Sequence, residues 1–461
     1  MKTLLNSALG LSTLFTFSWA ASAQDLTPLA QPESPVELVG LMLGHVGTTE
    51  AKIWVQSDEE AEAFVTYWPE NNMQAARHTA VAALREQHFL AHTFVLEALQ
   101  PQQTYRYAVY LNQQKQSDQV LSFQTVAPLQ QPPQDLRFLV GSCYYLDDPL
   151  MKLFQFSYGG GIEIFETMAK EDAQAMIWTG DNVYFAPFDL SSRYNMNQRY
   201  KKQRQQASLK DFLVKMPHYA TWDDHDFGPN NSSRRFSGAN AATEIFKAYW
   251  ANPRYGGITE PGIFFSQRWQ DVEFIVTDNR TYRDANSFPD PLKRSFFGPT
   301  QMDWLKSKLV GSDATFKVVV IGSPVFNRYY KESFYRATGE FNTLMQFLDD
   351  NKVEGVIFLS GDRHHSELTK MEREGAYPLY NYINSPLTSQ PTKILSDAEA
   401  NDSWRVPGSL FRQRNYGRIA VSGPPTQRVL SFETVNAKGE RLWEYAIPAA
   451  ELSYKAYKAV K

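Results

Sequence analysis

The segment Tyr219-Ala220-Thr221-Trp222-Asp223-Asp224-His225-Asp226-Phe227-Gly228-Pro229-Asn230-Asn231 is a short apolar run that breaks into a dense polar turn. Three acids and a histidine occupy consecutive positions from Asp223 to Asp226. Carboxylates this close raise one another's pKa values unless solvent or a bound cation relieves the repulsion. Asp and Asn are also ordinary turn residues, so the stretch taken alone fits an acidic surface turn as well. Recurrence decides the reading. Phe138-Leu139-Val140 leads into Gly141-Ser142-Cys143, and Met176-Ile177-Trp178 leads into Gly180-Asp181-Asn182-Val183-Tyr184. Val356-Ile357-Phe358-Leu359 leads into Gly361-Asp362-Arg363-His364-His365. In α/β sheets, ligand sites gather at the loops that leave the carboxyl ends of strands.

Around these turns, residues 135–448 alternate strand-like and helix-like runs, the pattern of an α/β domain. The strand expectations are Leu136–Val140, Ala175–Trp178, His218–Trp222, Glu273–Thr277, Phe316–Ile321 and Gly355–Leu359, with four more from Leu379 to Ile447. The helix expectations are Ile162–Glu171, Ala241–Trp250, Thr300–Leu309 and Glu340–Asp349. Before this domain, residues 127–134 form a Pro/Gln-rich linker, semi-rigid and extended. Residues 36–126 read as short alternating strands separated by turn residues, which predicts a small all-β sandwich. Within it, Leu99-x-Pro101-x-x-Thr104-Tyr105 resembles the tyrosine corner of fibronectin type III-like domains. Residues 449–461 are a tail, with a basic helix expected over Glu451–Lys461.

The chain has 461 residues and a formal net charge of −4, from 46 basic and 50 acidic side chains. That balance argues against non-specific nucleic-acid binding, which needs a strongly basic face. A hydrophobic content of 43%, with 14% aromatics, suits packed globular domains rather than disorder. Residues 1–23 have the form of a cleavable signal peptide: Lys2, an apolar run from Leu4 to Ala20, then Ala21-Ser22-Ala23 before Gln24. No twin-Arg pair precedes the apolar run, so general secretory export to the periplasm or the medium is expected. No later segment is apolar for long enough to span a membrane. The one cysteine, Cys143, cannot form an internal disulfide, and its place at a strand end favours a ligand or reactive thiolate over an inert buried thiol.

The residue types at the four turns speak about a metal. Carboxylates suit hard cations such as Ca²⁺, Mg²⁺ or Mn²⁺. A thiolate with phenolate and imidazole points to a strongly Lewis-acidic transition metal, ferric iron being a known partner of tyrosinate. A shared carboxylate such as Asp181 would bridge two ions about 3.5–4 Å apart, the spacing used in phosphoryl chemistry.

The ordered set Gly-Ser-Cys, Gly-Asp-Asn-Val-Tyr, Trp-Asp-Asp-His-Asp-x-x-x-Asn-Asn, Asp278-x-Arg280-x-x-Arg283 and Ser-Gly-Asp-Arg-His resembles the PhoD-type alkaline phosphatases of the calcineurin-like metallophosphatase superfamily. The resemblance implies a metallophosphatase β-sandwich flanked by helices, preceded by the small β domain. It implies Fe³⁺ held by Cys143, Asp181, Tyr184 and His364, with Asp181 shared with a Ca²⁺ site completed by Asp224 and Asp362. It makes His225 the group facing the leaving oxygen and Asp226 the residue that orients it. Asn230, Asn231, Arg280 and Arg283 become candidates for contacts to phosphate. The usual first motif Asp-x-His is replaced by Gly-Ser-Cys, as in PhoD-type members. Ile321-Gly322-Ser323-Pro324 stands where a mid-domain histidine ligand is often found, and the twin-Arg export associated with the family has no counterpart here.

The expected function is metal-dependent hydrolysis of phosphate esters, by attack of a metal-bound hydroxide on phosphorus with His225 as general acid. The alternatives are a phosphodiesterase or phospholipase D-like hydrolase on the same centre, or a non-catalytic cell-surface binding protein. Ser142 as a nucleophile is disfavoured, because no histidine lies near it in the sequence.

Overall fold

Runs rich in β-branched and aromatic residues, such as Phe316-Lys317-Val318-Val319-Val320, form strands covered on both faces. The computed structural model describes residues 36–147, 158–257, 261–393 and 395–455. The expected signal segment 1–23 and the end of the basic tail, 456–461, lie outside the described residues.

Residues 36–455 belong to one compact unit. Strands Leu38–Val46, Ala51–Ser57 and Ala91–Leu96 form one antiparallel sheet, and Ala61–Pro69 and Thr104–Leu111 centre a second. The tyrosine corner is present: the Gln100 N–H donates to Tyr105 Oη at 2.9 Å. This β region shares a core with the α/β region C-terminal to it. Trp54 is fully buried against Tyr249, its indole N–H donates to the Ala248 carbonyl, and Gln56 donates to Tyr249 Oη at 2.8 Å.

The α/β region stacks two six-stranded sheets. In the first, Leu136–Gly141, Ala175–Thr179 and His218–Thr221 run parallel, extended by three antiparallel strands from Asn415 to Pro448. In the second, Val272–Val276, Phe316–Val320, Val356–Ser360 and Ala376–Ile383 run parallel between antiparallel edge strands Phe265–Trp269 and Glu367–Arg373. Inward-facing rings join the sheets, with Phe138 against Phe274 at 4.8 Å between centroids and Tyr219 against Trp269 at 5.0 Å. The parallel strands of both sheets deliver their carboxyl ends to one region.

The expected helices are present, as Ile164–Met168, Ala239–Tyr249, Gly298–Gly311 and Thr338–Asp350. Arg193–Arg204 and Ala207–Leu213 are additional helices. The first is so polar that its buried Met196, Tyr200 and Arg204 leave no clear apolar stripe in the sequence. The 3₁₀ turn Ala449–Leu452 leads into the expected tail helix, of which 454–455 are helical and the remainder, 456–461, lies outside the described residues.

His218 gives this fold a pH dependence. It is fully buried, its Nδ1 accepts from the Trp178 indole at 3.0 Å, and its Nε2 faces the Phe212 carbonyl at 3.2 Å. Burial pushes its pKa down to about 3. Between that value and the ordinary value near 6.5 the unfolded chain binds the extra proton, so stability falls as pH falls through this window. Thermal melts from pH 7 to pH 3 should show a declining Tm, and the decline should be shallower in His218→Gln.

Candidate metal centre

Each strand turn places its polar residue by an unusual backbone. Cys143, Asp181, Asp362, His364 and Asn231 all adopt left-handed φ angles, 62°, 51°, 72°, 53° and 62° respectively. Such conformations cost non-glycine residues of order 1–3 kcal/mol and cluster where function holds them. Gly180 has φ 89°, and a Cβ there would lie 2.7 Å from Asp223 Cβ. At Gly361 a Cβ would clash with Ser142 Oγ. These two glycines let the turns close on each other.

The turns converge on Asp181. Its Oδ2 lies 3.6 Å from Cys143 Sγ and 3.0 Å from Tyr184 Oη. Tyr184 Oη is also 3.0 Å from His364 Nε2. The other oxygen, Oδ1, accepts weakly from the His225 backbone N–H at 3.3 Å. The His225 ring packs at a tilt against Tyr184, with centroids 4.1 Å apart. Three groups of potential ligands result, each with its donor atoms within 4.8 Å of one another: Cys143–Asp181–His364, Asp181–Asp224–His225 and Asp223–Asp224–Asp362.

The electrostatics of this donor set call for a cation. Burial first, and then Asp224, raise the Asp181 pKa well above the carboxylate range. Burial with Asp223 does the same to Asp362, whose Oδ2 is buried without a hydrogen-bond partner. Burial pushes the Cys143 thiol up to about 11, against hydrogen bonds from Ser142 and Ser385. Tyr184 is raised by burial and then by Asp181, and burial lowers His364 to about 4. Asp224 is the exception. Burial would raise it, but His225, Arg280 and the Asn231 N–H at 2.6 Å hold it low. A buried thiol, phenol and carboxylates in mutual contact are what bound cations would neutralise, so the residues fit a metal centre.

Three expected roles need correction. Asp226 does not face His225. Its Oδ1 accepts from the Asn182 N–H and Nδ2 at 3.0 and 2.9 Å, and its Oδ2 accepts from the Asp223 N–H at 3.0 Å. It closes a capping box on the one-turn helix Asp224–Phe227. Arg280 is fully buried and its guanidinium is spent on Asp223, Glu332, Ser323 and the Ser232 carbonyl. Arg283 is 3% exposed and donates to the Glu332 carbonyl at 2.8 Å. Neither arginine has a face left for phosphate; both neutralise buried acids. Asn230 and Asn231 are exposed beside the centre, and Asn231 Oδ1 accepts from Asn286 at 3.1 Å.

Sequence reasoning gave no role to several residues found here. Asp223 joins a ligand group while also bonding Arg280, Asn279 and Ser323. Tyr158 Oη sits 3.2 Å from His364 Nδ1, and Tyr330 Oη donates to Asp362 Oδ1 at 3.2 Å. Both tyrosines come from distant loops without a motif. Ser142 Oγ donates to the Asn384 carbonyl at 3.0 Å.

The sequence pattern of the PhoD-like phosphatases matches residues 138–400. The chain belongs to the PhoD-like phosphatase family. Residues 36–123 match a domain family of unknown function, DUF7800. Among solved structures, one described as PhoD is similar over 90% of both chains, at 15% identity and a TM-score of 0.73. The purple acid phosphatase PPD1 from yellow lupin (Lupinus luteus) seeds is similar over 90% of this chain and 75% of its own, at 13% identity and a TM-score of 0.65. At these identities the likeness is one of fold. No curated protein matches the chain. PhoD-like family membership makes the chain a phosphoric ester hydrolase, with the Asp181 cluster as its candidate metal centre.

Proposed function

We propose that this PhoD-like protein is exported and hydrolyses phosphate esters at a two-ion centre, iron on the Cys143–Asp181–Tyr184–His364 side and calcium on the Asp181–Asp224–Asp362 side. The observation that carries this is the Asp181 carboxylate. One oxygen faces the thiol and phenol, and the other faces the His225–Asp224 side. A carboxylate placed this way would be a ligand to an ion on either side. The soft, phenol-containing group suits ferric iron and the all-carboxylate group a hard cation. Bound there, such ions supply Lewis acidity toward phosphoryl oxygens and lower the pKa of water at the site.

The chain's own residues do the rest. Asp224 and Asp181 accept the His225 backbone N–H, at 3.0 and 3.3 Å, and so fix the turn that carries the imidazole. The half-buried ring, held against Tyr184, hands a proton from its N–H to the departing alkoxide oxygen. Asn230 and Asn231, exposed at the rim, direct their amides to the substrate's phosphoryl oxygens.

His225→Ala should lower kcat/KM on an alkyl phosphate by about 10²-fold, and much less on p-nitrophenyl phosphate, whose leaving group needs no acid. Equal losses on both would remove the acid role and favour His225 as a ligand. Relative rates on mono- and bis-p-nitrophenyl phosphate separate a phosphatase from a phosphodiesterase on the same centre. Export predicts a mature N-terminus at Gln24, read by mass spectrometry of protein from the periplasm or medium.

A further inference from the structure

Next to the turn that carries His364 lies a groove of about 470 Å³ lined by Gln390, Pro391, Thr392, Lys393, Arg412 and Arg414. Its charged lining is wholly cationic. Among the described residues, none of the three cations forms a salt bridge. Arg412 Nη1 donates to the Lys393 carbonyl at 2.8 Å and Arg414 Nε to the Thr388 carbonyl at 2.9 Å. Burial holds Arg414 below the usual guanidinium range, with Glu163 and Asp147 pulling the other way from beyond pairing distance. Glu163 and Glu440 line the adjoining groove beyond Arg412 and Arg414. The excess of positive charge is therefore at the Lys393 end.

The floor of this groove is one chain segment, and its ends brace the metal centre. The Thr392 N–H donates to the His364 carbonyl at 2.9 Å, and Thr392 Oγ1 to the Arg363 carbonyl at 2.7 Å. The Thr388 and Ser389 N–H groups both donate to the Cys143 carbonyl. The cations thus stand one segment away from two candidate ligands. Unpaired cations beside a site for anionic esters attract a second anionic group on the same molecule.

We propose that this groove is a second anion subsite, which holds a distal phosphate or carboxylate of a phosphoester whose reacting phosphate lies at the Asp181 centre. The inference rests on the phosphatase reading and narrows its substrate class to esters bearing two separated anionic groups. It also gives a cationic contact to substrate that the buried Arg280 and Arg283 do not provide.

The test is calorimetric binding of α,ω-alkyl diphosphonates of increasing chain length, against alkyl monophosphonates of matched length, to the metal-loaded protein. The best diphosphonate should bind about tenfold more tightly than its monophosphonate, with an optimum length set by the span between sites. In Lys393→Gln/Arg412→Gln, whose side chains are exposed, that ratio should fall toward one, and Arg412→Lys should retain most of it. A ratio near one at every length, or one unaffected by the substitutions, overturns the subsite. Binding of neither class overturns it too. Hydrolysis of p-nitrophenyl phosphate by the same samples reports separately on the phosphatase reading.

Discussion

Asp181→Asn is expected to abolish hydrolysis while raising the thermal stability of the metal-free protein. Asp181 is the carboxylate shared between the thiol–phenol group and the acidic group, so its loss weakens both ion sites together. A fall in kcat/KM of at least about 10³-fold, or ~4 kcal/mol of transition-state stabilisation, is expected. Without metal, the same carboxylate is buried against Asp224, Cys143, Asp223 and Asp362, which raises its pKa and opposes folding. A neutral amide of nearly equal volume removes that repulsion. Chelator-treated Asp181→Asn should therefore melt above chelator-treated wild type, and the order should reverse when metals are restored. Activity within tenfold of wild type would contradict a shared carboxylate.

Arg280→Met is expected to be the most damaging single change to stability. The guanidinium bonds Asp223 Nε-to-Oδ1 at 2.7 Å and Glu332 Nη2-to-Oε2 at 2.6 Å, with every partner buried. Removing one member of a buried ionic network leaves uncompensated charge and costs roughly 3–5 kcal/mol. Denaturant titration should show that loss. Adding Asp223→Asn and Glu332→Gln should recover part of it, because the cost lies in the stranded acids. A loss below about 1 kcal/mol would mean that solvent reaches these groups.

The strand-end turns were legible because apolar runs and ligand-type residues sit side by side in the chain. Cys143, Asp181, Tyr184, Asp224, Asp362 and His364 accordingly meet in one place. What the sequence obscured was the direction of side chains. The Asp223-x-x-Asp226 spacing is a capping-box pattern, and the capping geometry turns Asp226 away from the neighbouring histidine. Arg280 and Arg283 look like phosphate ligands in a motif, yet Glu332 from a distant loop claims both. Tyr158 and Tyr330 reach the centre only through tertiary packing, which no local period encodes. The polar helix Arg193–Arg204 was hidden for a related reason: its buried Arg204 lies 4.3 Å over the Trp250 ring rather than in an apolar stripe.

A two-ion centre with a phenol in its coordination shell would show in both the metal content and the colour of the protein. Elemental analysis and visible absorption of protein purified without chelator or added metal read both. Near-stoichiometric iron together with calcium, and a charge-transfer band that disappears in Tyr184→Phe, is the predicted result. Protein that holds no metal, and stays inactive toward phosphate esters after iron and calcium are supplied, would contradict it.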